Sequence, residues 1–576
     1  MILQIKLALP AIQVQPFRPM TPINYTSPTR LGMFRKLLAP LLVVAILASA
    51  AWRENRSHPL DFWSHSDGYG DYVTICMAHA LNIDFWVSKS PVSSRREIND
   101  NNTLHPGFPL QATSWAAYRI SSIGKGHDAA ARCESVISDP SAFWLSIRLI
   151  AIAIGVVCSV FLTRAASSQG FAYSLAVGLF YFCYQPAWDY SIRLLGNETF
   201  ALPLALAVGW VAWKSLNPSE GKSALQWWAA WGSLCALCWL NKLNYIAWTA
   251  AVVPACAIYF AVRRPSLREM ALQLAAFSGG FVVAAYALAT MMLGPGGLEH
   301  ILRLHFGVLT HSGAYGNGTE GAVSASAVRE AIHALAEFRL FLALAAVVCA
   351  LGAWVLVSNA KKGRTASSSS AFIVYLLCAA GLFLAAVLKH YGAHYLVAGV
   401  PAISLLLLVV GGYLSPKTRM AVGILVGLVL VHSYRHYWAT KVGTYNHATA
   451  IQAGLRAMDS LPGRPGDAAL WTYRLPDRRF GMELVRFLAG VPEVAAVIDD
   501  KFPTPDKAYF LWLPTVRVGT ESMPFDKVKW RYAVFERGNY DYLLKASQGS
   551  AKVYFERHCK RIIDGPEISV FERLEE

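Results

Sequence analysis

Charged residues are scarce in this chain of 576 residues. Asp, Glu, Lys and Arg make up 15% of it, whereas they make up about a quarter of an ordinary soluble protein. Hydrophobic residues reach 55%, and apolar runs of roughly 17–24 residues recur, long enough to cross a hydrocarbon core of about 30 Å. The composition therefore excludes a soluble globular protein of this size and predicts a polytopic α-helical membrane protein.

Signatures of several other functions are missing as well. The chain has no GxxxxGK[ST] loop for a nucleotide, and His305 and His311 do not show metal-ligand spacing with a third ligand. Most of the ten cysteines lie in apolar runs, where packing is the simplest role. Cys76 and Cys133 share the first large polar segment, and a disulfide between them is an alternative if that segment lies in an oxidising compartment.

The apolar runs predict about eleven transmembrane helices. The first, at about 34–52, also resembles a cleaved signal peptide, and we favour a retained helix. The later helices are predicted at 141–163, 170–187, 198–214, 225–241, 243–262, 270–293, 338–358, 371–388, 395–414 and 420–438.

The net charge of +16 is distributed unevenly between the loops. Loops that would share one side hold Arg164, Lys214, Lys222, Arg263, Arg264, Arg268, Lys361, Lys362, Arg364, Lys417 and Arg419. The short loops on the other side hold Arg193, Lys242 and Lys389. By the positive-inside rule the first group is cytoplasmic, which places the N-terminus inside and the large loops outside.

This topology predicts the domain organisation. The predicted parts are a disordered cytoplasmic tail at 1–33, a transmembrane domain at 34–438 with extracytoplasmic loops at 52–140 and 294–337, and a soluble extracytoplasmic α/β domain at 443–576. A helix is predicted from Ser324 to Glu337, and residues 551–557 are among the segments predicted as strands. The multi-span architecture and the richness in Ala and Gly favour a bacterial inner membrane.

Candidate catalytic acids lie in the first loop, where HSDGYGDY places Asp67 and Asp71 around Gly-Tyr-Gly. A sugar transfer needs a carboxylate that removes a proton from the acceptor hydroxyl or that holds a divalent cation. For Asp71 the alternative is a helix N-cap. Asp189, Glu198 and His105 are candidates for an acceptor contact or a second acid, with capping as the alternative for Glu198.

The three basic residues of the short outer turns occupy positions where insertion rules disfavour positive charge. Each of Arg193, Lys242 and Lys389 could be an exposed residue that extends to lipid headgroups. Alternatively, they bind a lipid-linked phosphate through charge-assisted hydrogen bonds. Lys389 opens KHYGAHY, which also contains His390 and His394. These five residues are the predicted donor-phosphate site.

Four of these segments together resemble the GT-C superfamily of membrane glycosyltransferases, in particular its aminoarabinose, mannosyl and arabinosyl transferases. They are DGYGDY followed by MAHAL, the loop return HPGFPLQATSWAAYRIS, the Asn-Glu start of the fourth predicted helix at Asn197, and the late turn KHYGAHYLVAGVPAISLLL. The chain departs from that group in lacking an Asp-Glu or Asp-x-Asp pair at Asp67 and in having His105 where relatives often have Lys.

The resemblance implies an inverting sugar transfer from a polyprenyl-phosphate donor to an extracytoplasmic lipid, glycan or protein, with no nucleic-acid partner. Asp67 would act as the base, and Lys389 with its basic neighbours would stabilise the departing phosphate. No cofactor is required by the sequence, and a divalent cation, Mg or Mn, stays open.

Two alternative functions make different demands on the sequence. A polysaccharide polymerase or ligase typically carries its large outer loop late in the chain, but here the largest loop follows the first helix. A lipid or glycan transporter predicts inverted repeats and charged residues at mid-membrane. The sequence shows neither feature, which favours the glycosyltransferase.

Overall fold

The computed structural model describes residues 30–57, 69–89, 107–218, 224–311, 323–361, 368–389, 392–459, 469–472, 478–501, 508–512, 515–518, 521–536, 550–565 and 567–574. Within these ranges, eight helices are long and apolar enough to cross a membrane. The prediction of a polytopic α-helical membrane protein with a small sheet-containing C-terminal region is confirmed.

The described chain forms 21 α-helices, which we number in order. They are α1 Arg30–Ser57, α2 Tyr69–Lys89, α3 Phe108–Ser121, α4 Ala129–Ser138, α5 Ser141–Ala165, α6 Phe171–Leu179, α7 Pro186–Ile192, α8 Ala201–Leu216, α9 Ala224–Asn241, α10 Ala247–Ala250, α11 Val252–Arg263, α12 Leu267–Leu293, α13 Gly297–Thr310, α14 Ala325–Ala336, α15 Arg339–Lys361, α16 Ser368–Lys389, α17 Val400–Val410, α18 Pro416–Asp459, α19 Arg478–Ala489, α20 Pro492–Lys501 and α21 Ser550–His558.

Three of the eleven predicted membrane helices do not meet that criterion of length and apolarity. The predicted helix at 170–187 is α6 and a short 3-10 turn, Phe180–Cys183, whose aromatic side chains are all buried. The helix at 225–241 is α9, which has 18 residues. The helix at 420–438 is only part of α18, a 44-residue helix that continues well beyond it.

Helices α9 and α12 pack closely against each other. A Cβ atom at Gly232 would collide with the carbonyl oxygen of Phe277, and one at Gly280 with that of Ala229. Ser233 Oγ donates a hydrogen bond to the Gly280 carbonyl oxygen at 3.1 Å. Glycine at these positions lets the two backbones approach, as is common between membrane helices.

The C-terminal region contains a seven-stranded sheet in the order β4-β3-β2-β1-β5-β7-β6. The strands are β1 Ala469–Thr472, β2 Ala508–Trp512, β3 Thr515–Val518, β4 Glu521–Pro524, β5 Tyr532–Glu536, β6 Cys559–Asp564 and β7 Ile568–Arg573. The central strand β1 is parallel to β2 and β5, and the other pairs are antiparallel.

Residues 551–557 form part of α21 and not the predicted strand. Phe555 is the buried anchor of this helix and packs on Phe535 and Phe571, with ring centroids 5.3 and 5.0 Å away. Val553, two residues earlier, is exposed, because residues two apart lie on different faces of a helix. The helix Ser324–Glu337, by contrast, is confirmed as α14, with Ser324 as its N-cap.

The C-terminal region packs on the polar segment that follows α1. Helix α19 lies against α2, and α20 lies against α4. Asn82 Nδ2 of α2 donates to the carbonyl oxygen of Ala489 at 3.2 Å, and Lys501 Nζ lies 2.8 Å from Glu134 Oε1. The long helix α18 connects this region to the bundle covalently. We call the side of the bundle that carries α2, α3 and α4 the first-loop side.

Candidate functional site

Two helices of the first loop, α2 and α3, are attached to short turns of the helical bundle. Cys76 Sγ of α2 donates to the carbonyl oxygen of Leu195 at 3.1 Å. Gly107 N, just before α3, donates to the carbonyl oxygen of Asn241 at 3.2 Å. Gly107 has a φ of 55°, a left-handed conformation that favours glycine. The start of α3 therefore lies beside the turn that contains Lys242.

Asp84 fixes the three helices of the first loop to one another. Its carboxylate is fully buried and accepts hydrogen bonds from Arg132 Nη2 at 2.8 Å and Arg119 Nη1 at 3.1 Å. These residues come from α2, α4 and α3 respectively. A buried carboxylate needs such partners because an unpaired charge would be costly to desolvate. The pairing defines the orientation of α2, whose first turn contains Asp71.

One candidate polar cluster lies where α8 and α9 reach the first-loop side. Glu198 and Lys242 form a buried ion pair. The Lys242 ammonium also lies 4.0 Å from the ring centroid of Tyr395, a favourable cation–π geometry. His394 packs on the same tyrosine, with ring centroids 4.2 Å apart. Asn241 Nδ2 donates to the Asn197 carbonyl oxygen at 3.0 Å, which holds the two turns together.

A second cluster joins α1, α7 and α18. Arg193 lies 3.4 Å from both Glu54 Oε1 and Asp189 Oδ1. Lys441 Nζ of α18 lies 3.0 Å from Asp189 Oδ1. The Tyr437 hydroxyl lies 3.4 Å from both carboxylates, so its single hydrogen can be donated to either one. Two carboxylates and two cations thus balance one another where three distant segments meet. The 3-10 turn Ala393–Ala398, which contains His394, packs on α7 and lies between the two clusters.

Lys389 lies apart from these ion pairs. It ends α16, and its ammonium donates a hydrogen bond to the carbonyl oxygen of His311 at 3.1 Å. His311 is the C-terminal cap of α13, so the cation lies at the end of a helix where positive charge is favourable.

The predicted site residues thus fall into three groups. Asp67, His105 and His390 lie outside the described residues. Asp71 lies in the first turn of α2. The others lie at the same end of the bundle, namely Asp189, Arg193, Glu198, Lys242, Lys389 and His394. Arg193 and Lys242 each already have a carboxylate partner, so phosphate binding by them stays a prediction.

Among the described residues, no group of three or more His, Cys, Asp and Glu side chains could hold a metal ion. Whether the protein uses a divalent cation, Mg or Mn, therefore stays open.

Sequence reasoning missed Glu54 and Lys441. Glu54 lies at the end of the first apolar run, and Lys441 lies just beyond the last one. A charged residue at such a boundary was the signal that drew attention to Arg193 and Lys242. The same signal would have identified Glu54 and Lys441 as candidates.

Cys76 and Cys133 are both unpaired and buried, so the alternative of a disulfide between them is not realised. Burial raises the pKa of each thiol to about 12, and the neighbouring Asp84 carboxylate contributes at Cys133. A thiol that stays protonated at neutral pH is a poor nucleophile. Cys76 therefore serves packing and a hydrogen bond, and Cys133 serves packing.

Solved structures similar to this chain include one protein in two states. The crystal structure of ArnT from Cupriavidus metallidurans bound to undecaprenyl phosphate is 14% identical in sequence, with a TM-score of 0.42. The apo structure of the same protein is 12% identical, with a TM-score of 0.41. Each match covers 92% of this chain and 97% of the other.

This chain is similar to ArnT over nearly its whole length. ArnT is a GT-C glycosyltransferase, the group that the sequence motifs resemble. No protein-family model matches the chain, and neither does any curated protein sequence.

Proposed function

We propose that this protein is a membrane glycosyltransferase that transfers a sugar from a polyprenyl-phosphate donor to an acceptor on the first-loop side. The observation that carries the proposal is the attachment of two first-loop helices, α2 and α3, to the turns that hold the polar clusters. Cys76 bonds to Leu195, and Gly107 bonds to Asn241. The first loop, which contains the candidate acids, therefore lies next to the turns that contain the basic residues, at one end of the bundle.

The proposed chemistry is an inverting displacement. The Asp67 carboxylate accepts the proton of the acceptor hydroxyl, whose oxygen forms a bond to the anomeric carbon of the sugar. The bond from that carbon to the phosphate oxygen breaks, and the electron pair leaves with the polyprenyl phosphate. Asp71, which lies in the first turn of α2, is the second candidate for this base.

Lys389 is the first candidate for stabilising the departing phosphate. Its ammonium donates to the His311 carbonyl oxygen at the end of α13, at the same end of the bundle as the two clusters. Arg193 and Lys242 would have to share their charge between a phosphate and the carboxylates that they already contact. His394, on the turn between the two clusters, supplies a further donor. In this proposal Asp189, Glu198 and His105 orient the acceptor or the cations.

The test is turnover of radiolabelled undecaprenyl-phosphate-linked sugars by the full-length protein in proteoliposomes. We chose this lipid because it is the one in the ArnT structure. Loss of a general base costs about 10²–10⁴-fold in rate, so Asp67→Asn or Asp71→Asn should lower turnover by at least about 100-fold. Lys389→Ala should lower it as well.

Asp61→Asn, which removes a neighbouring acid of the same loop, is the matched control and should keep turnover. Wild-type protein that neither consumes any such donor nor binds undecaprenyl phosphate would refute the proposal. Retained turnover in both Asp67→Asn and Asp71→Asn would remove the first loop from the chemistry.

A further inference from the structure

Helix α13 carries a stripe of exposed apolar side chains. Leu302, Phe306 and Leu309 are 51%, 69% and 45% exposed. Their spacing of four and three residues places them on one face of the helix. Three large apolar side chains side by side are more than the scattered exposure that protein surfaces normally show. We therefore expect another apolar surface to cover this stripe.

The neighbouring face of α13 is covered by the bundle. Gly297, Ile301 and His305 are buried at intervals of four residues. His305 packs on Trp239 of α9, with ring centroids 5.6 Å apart. A Cβ atom at Gly297 would be 2.7 Å from the carbonyl oxygen of Ala289 in α12. Helix α13 therefore lies directly against the ends of α9 and α12 on the first-loop side.

The remaining face is polar. Glu299 and Arg303 form an ion pair of 2.6 Å, and both side chains are largely exposed. At the far end of the helix, Lys389 holds the His311 carbonyl oxygen. The helix thus has a protein-covered face, an uncovered apolar face and a charged face, and both of its ends are tied to membrane helices.

The preceding helix α12 also carries exposed apolar side chains. Tyr286 and Met291, in the last turns of that membrane helix, are 59% and 56% exposed. Only three residues, 294–296, separate the two helices. The helix that carries the stripe thus follows closely on the end of the apolar helix α12.

We propose that α13 is an interfacial helix and that the acyl chains of the membrane leaflet on the first-loop side cover Leu302, Phe306 and Leu309. The Glu299–Arg303 face meets the headgroups and water. A helix with one apolar and one charged face binds a bilayer surface in this way. This inference does not rest on the proposed sugar transfer, and its test needs no turnover.

The test compares two labelled variants of the full-length protein in phosphatidylcholine vesicles. Phe306→Cys places an environment-sensitive fluorophore on the stripe, and Arg303→Cys places it on the charged face of the same helix. Brominated acyl chains should quench the label at position 306 at least about two-fold, because such a stripe inserts roughly 5–10 Å into the leaflet. The label at 303 should instead be quenched by aqueous iodide. Wild-type protein treated in parallel corrects for labelling of native cysteines.

Three results would overturn the proposal. Quenching at 306 by iodide and not by brominated lipid would mean that the stripe faces water. Protection from both quenchers would mean that protein covers it. Equal lipid quenching at 303 and 306 would mean that the whole helix is immersed. Leu309→Cys, on the same stripe, replaces Phe306→Cys if that variant does not elute as folded protein.

Discussion

Glu198 and Lys242 are opposite charges buried together at the edge of the bundle, and their value to the fold can be measured. Glu198→Gln or Lys242→Met alone leaves one buried charge without its partner. Each single change should therefore lower the free energy of unfolding by about 3–5 kcal/mol. The double variant removes both charges and should recover most of that loss. Thermal unfolding in detergent gives the comparison.

The exposed pair Glu299–Arg303 of α13 is the matched control. Glu299→Gln and Arg303→Met should change stability little, because exposed pairs are screened by water. A double Glu198→Gln/Lys242→Met variant as unstable as the sum of its single variants would show that the buried pair is not coupled.

For individual residues, the sequence predicted which charged side chains matter but not which of them form ion pairs. Arg193 and Lys242 stood out because charge is rare beside apolar runs. Asp189 and Glu198 were candidates too, but Glu198 was not recognised as the partner of Lys242 and Glu54 was missed, because chain separation hides such pairs. Lys242 and Glu198 are 44 residues apart, and Tyr437 and Glu54 are 383 apart. One sequence contains no record of such pairs, since they depend on which helices become neighbours.

Among the elements, the contact between α9 and α12 depends on single glycines. A Cβ atom at Gly280 would collide with the Ala229 backbone, whereas one at the adjacent Gly279 meets no heavy atom within 4 Å in the described chain. Gly280→Ala should therefore lower stability by about 1–3 kcal/mol, as overpacking does. Gly279→Ala should be neutral or gain up to about 1 kcal/mol from helix propensity. Thermal unfolding of the two variants decides this, and equal effects would contradict close packing at Gly280.

Elements were predictable where the periodic pattern is long. The predicted helix at 324–337 agrees with α14 because its apolar spacing and its Ser324 cap point to the same structure. Residues 551–557 were assigned wrongly because a seven-residue run with alternating character fits a strand as well as one helical face. The packing of Phe555 on Phe535 and Phe571 decided between them.

Across the whole molecule, the sequence indicated separate membrane and soluble regions but not how they meet. In the structure α2 lies between them. Cys76 attaches one part of it to the bundle, and Asn82 attaches another to the end of α19. The orientation of α2, the helix that contains Asp71, depends on these contacts as well as on Asp84. The C-terminal region is thus part of the architecture of the candidate site.

This dependence predicts that a buried charge in α19 weakens the whole assembly. Met482, Val485 and Ala489 form the buried face of α19 and belong to the same apolar cluster as α2. Val485→Asp should detach α19 from α2, because a carboxylate without a partner is strongly disfavoured in that contact. Limited proteolysis should then release the C-terminal region faster, and turnover of a polyprenyl-phosphate sugar should fall.

Val553→Asp is the control for this variant. It places the same charge on α21, where the side chain is 46% exposed, and it should change neither proteolysis nor turnover. If Val485→Asp leaves proteolysis as slow as Val553→Asp does, the contact between α19 and α2 does not hold the C-terminal region in place, and the orientation of α2 must come from Asp84 and the bundle alone.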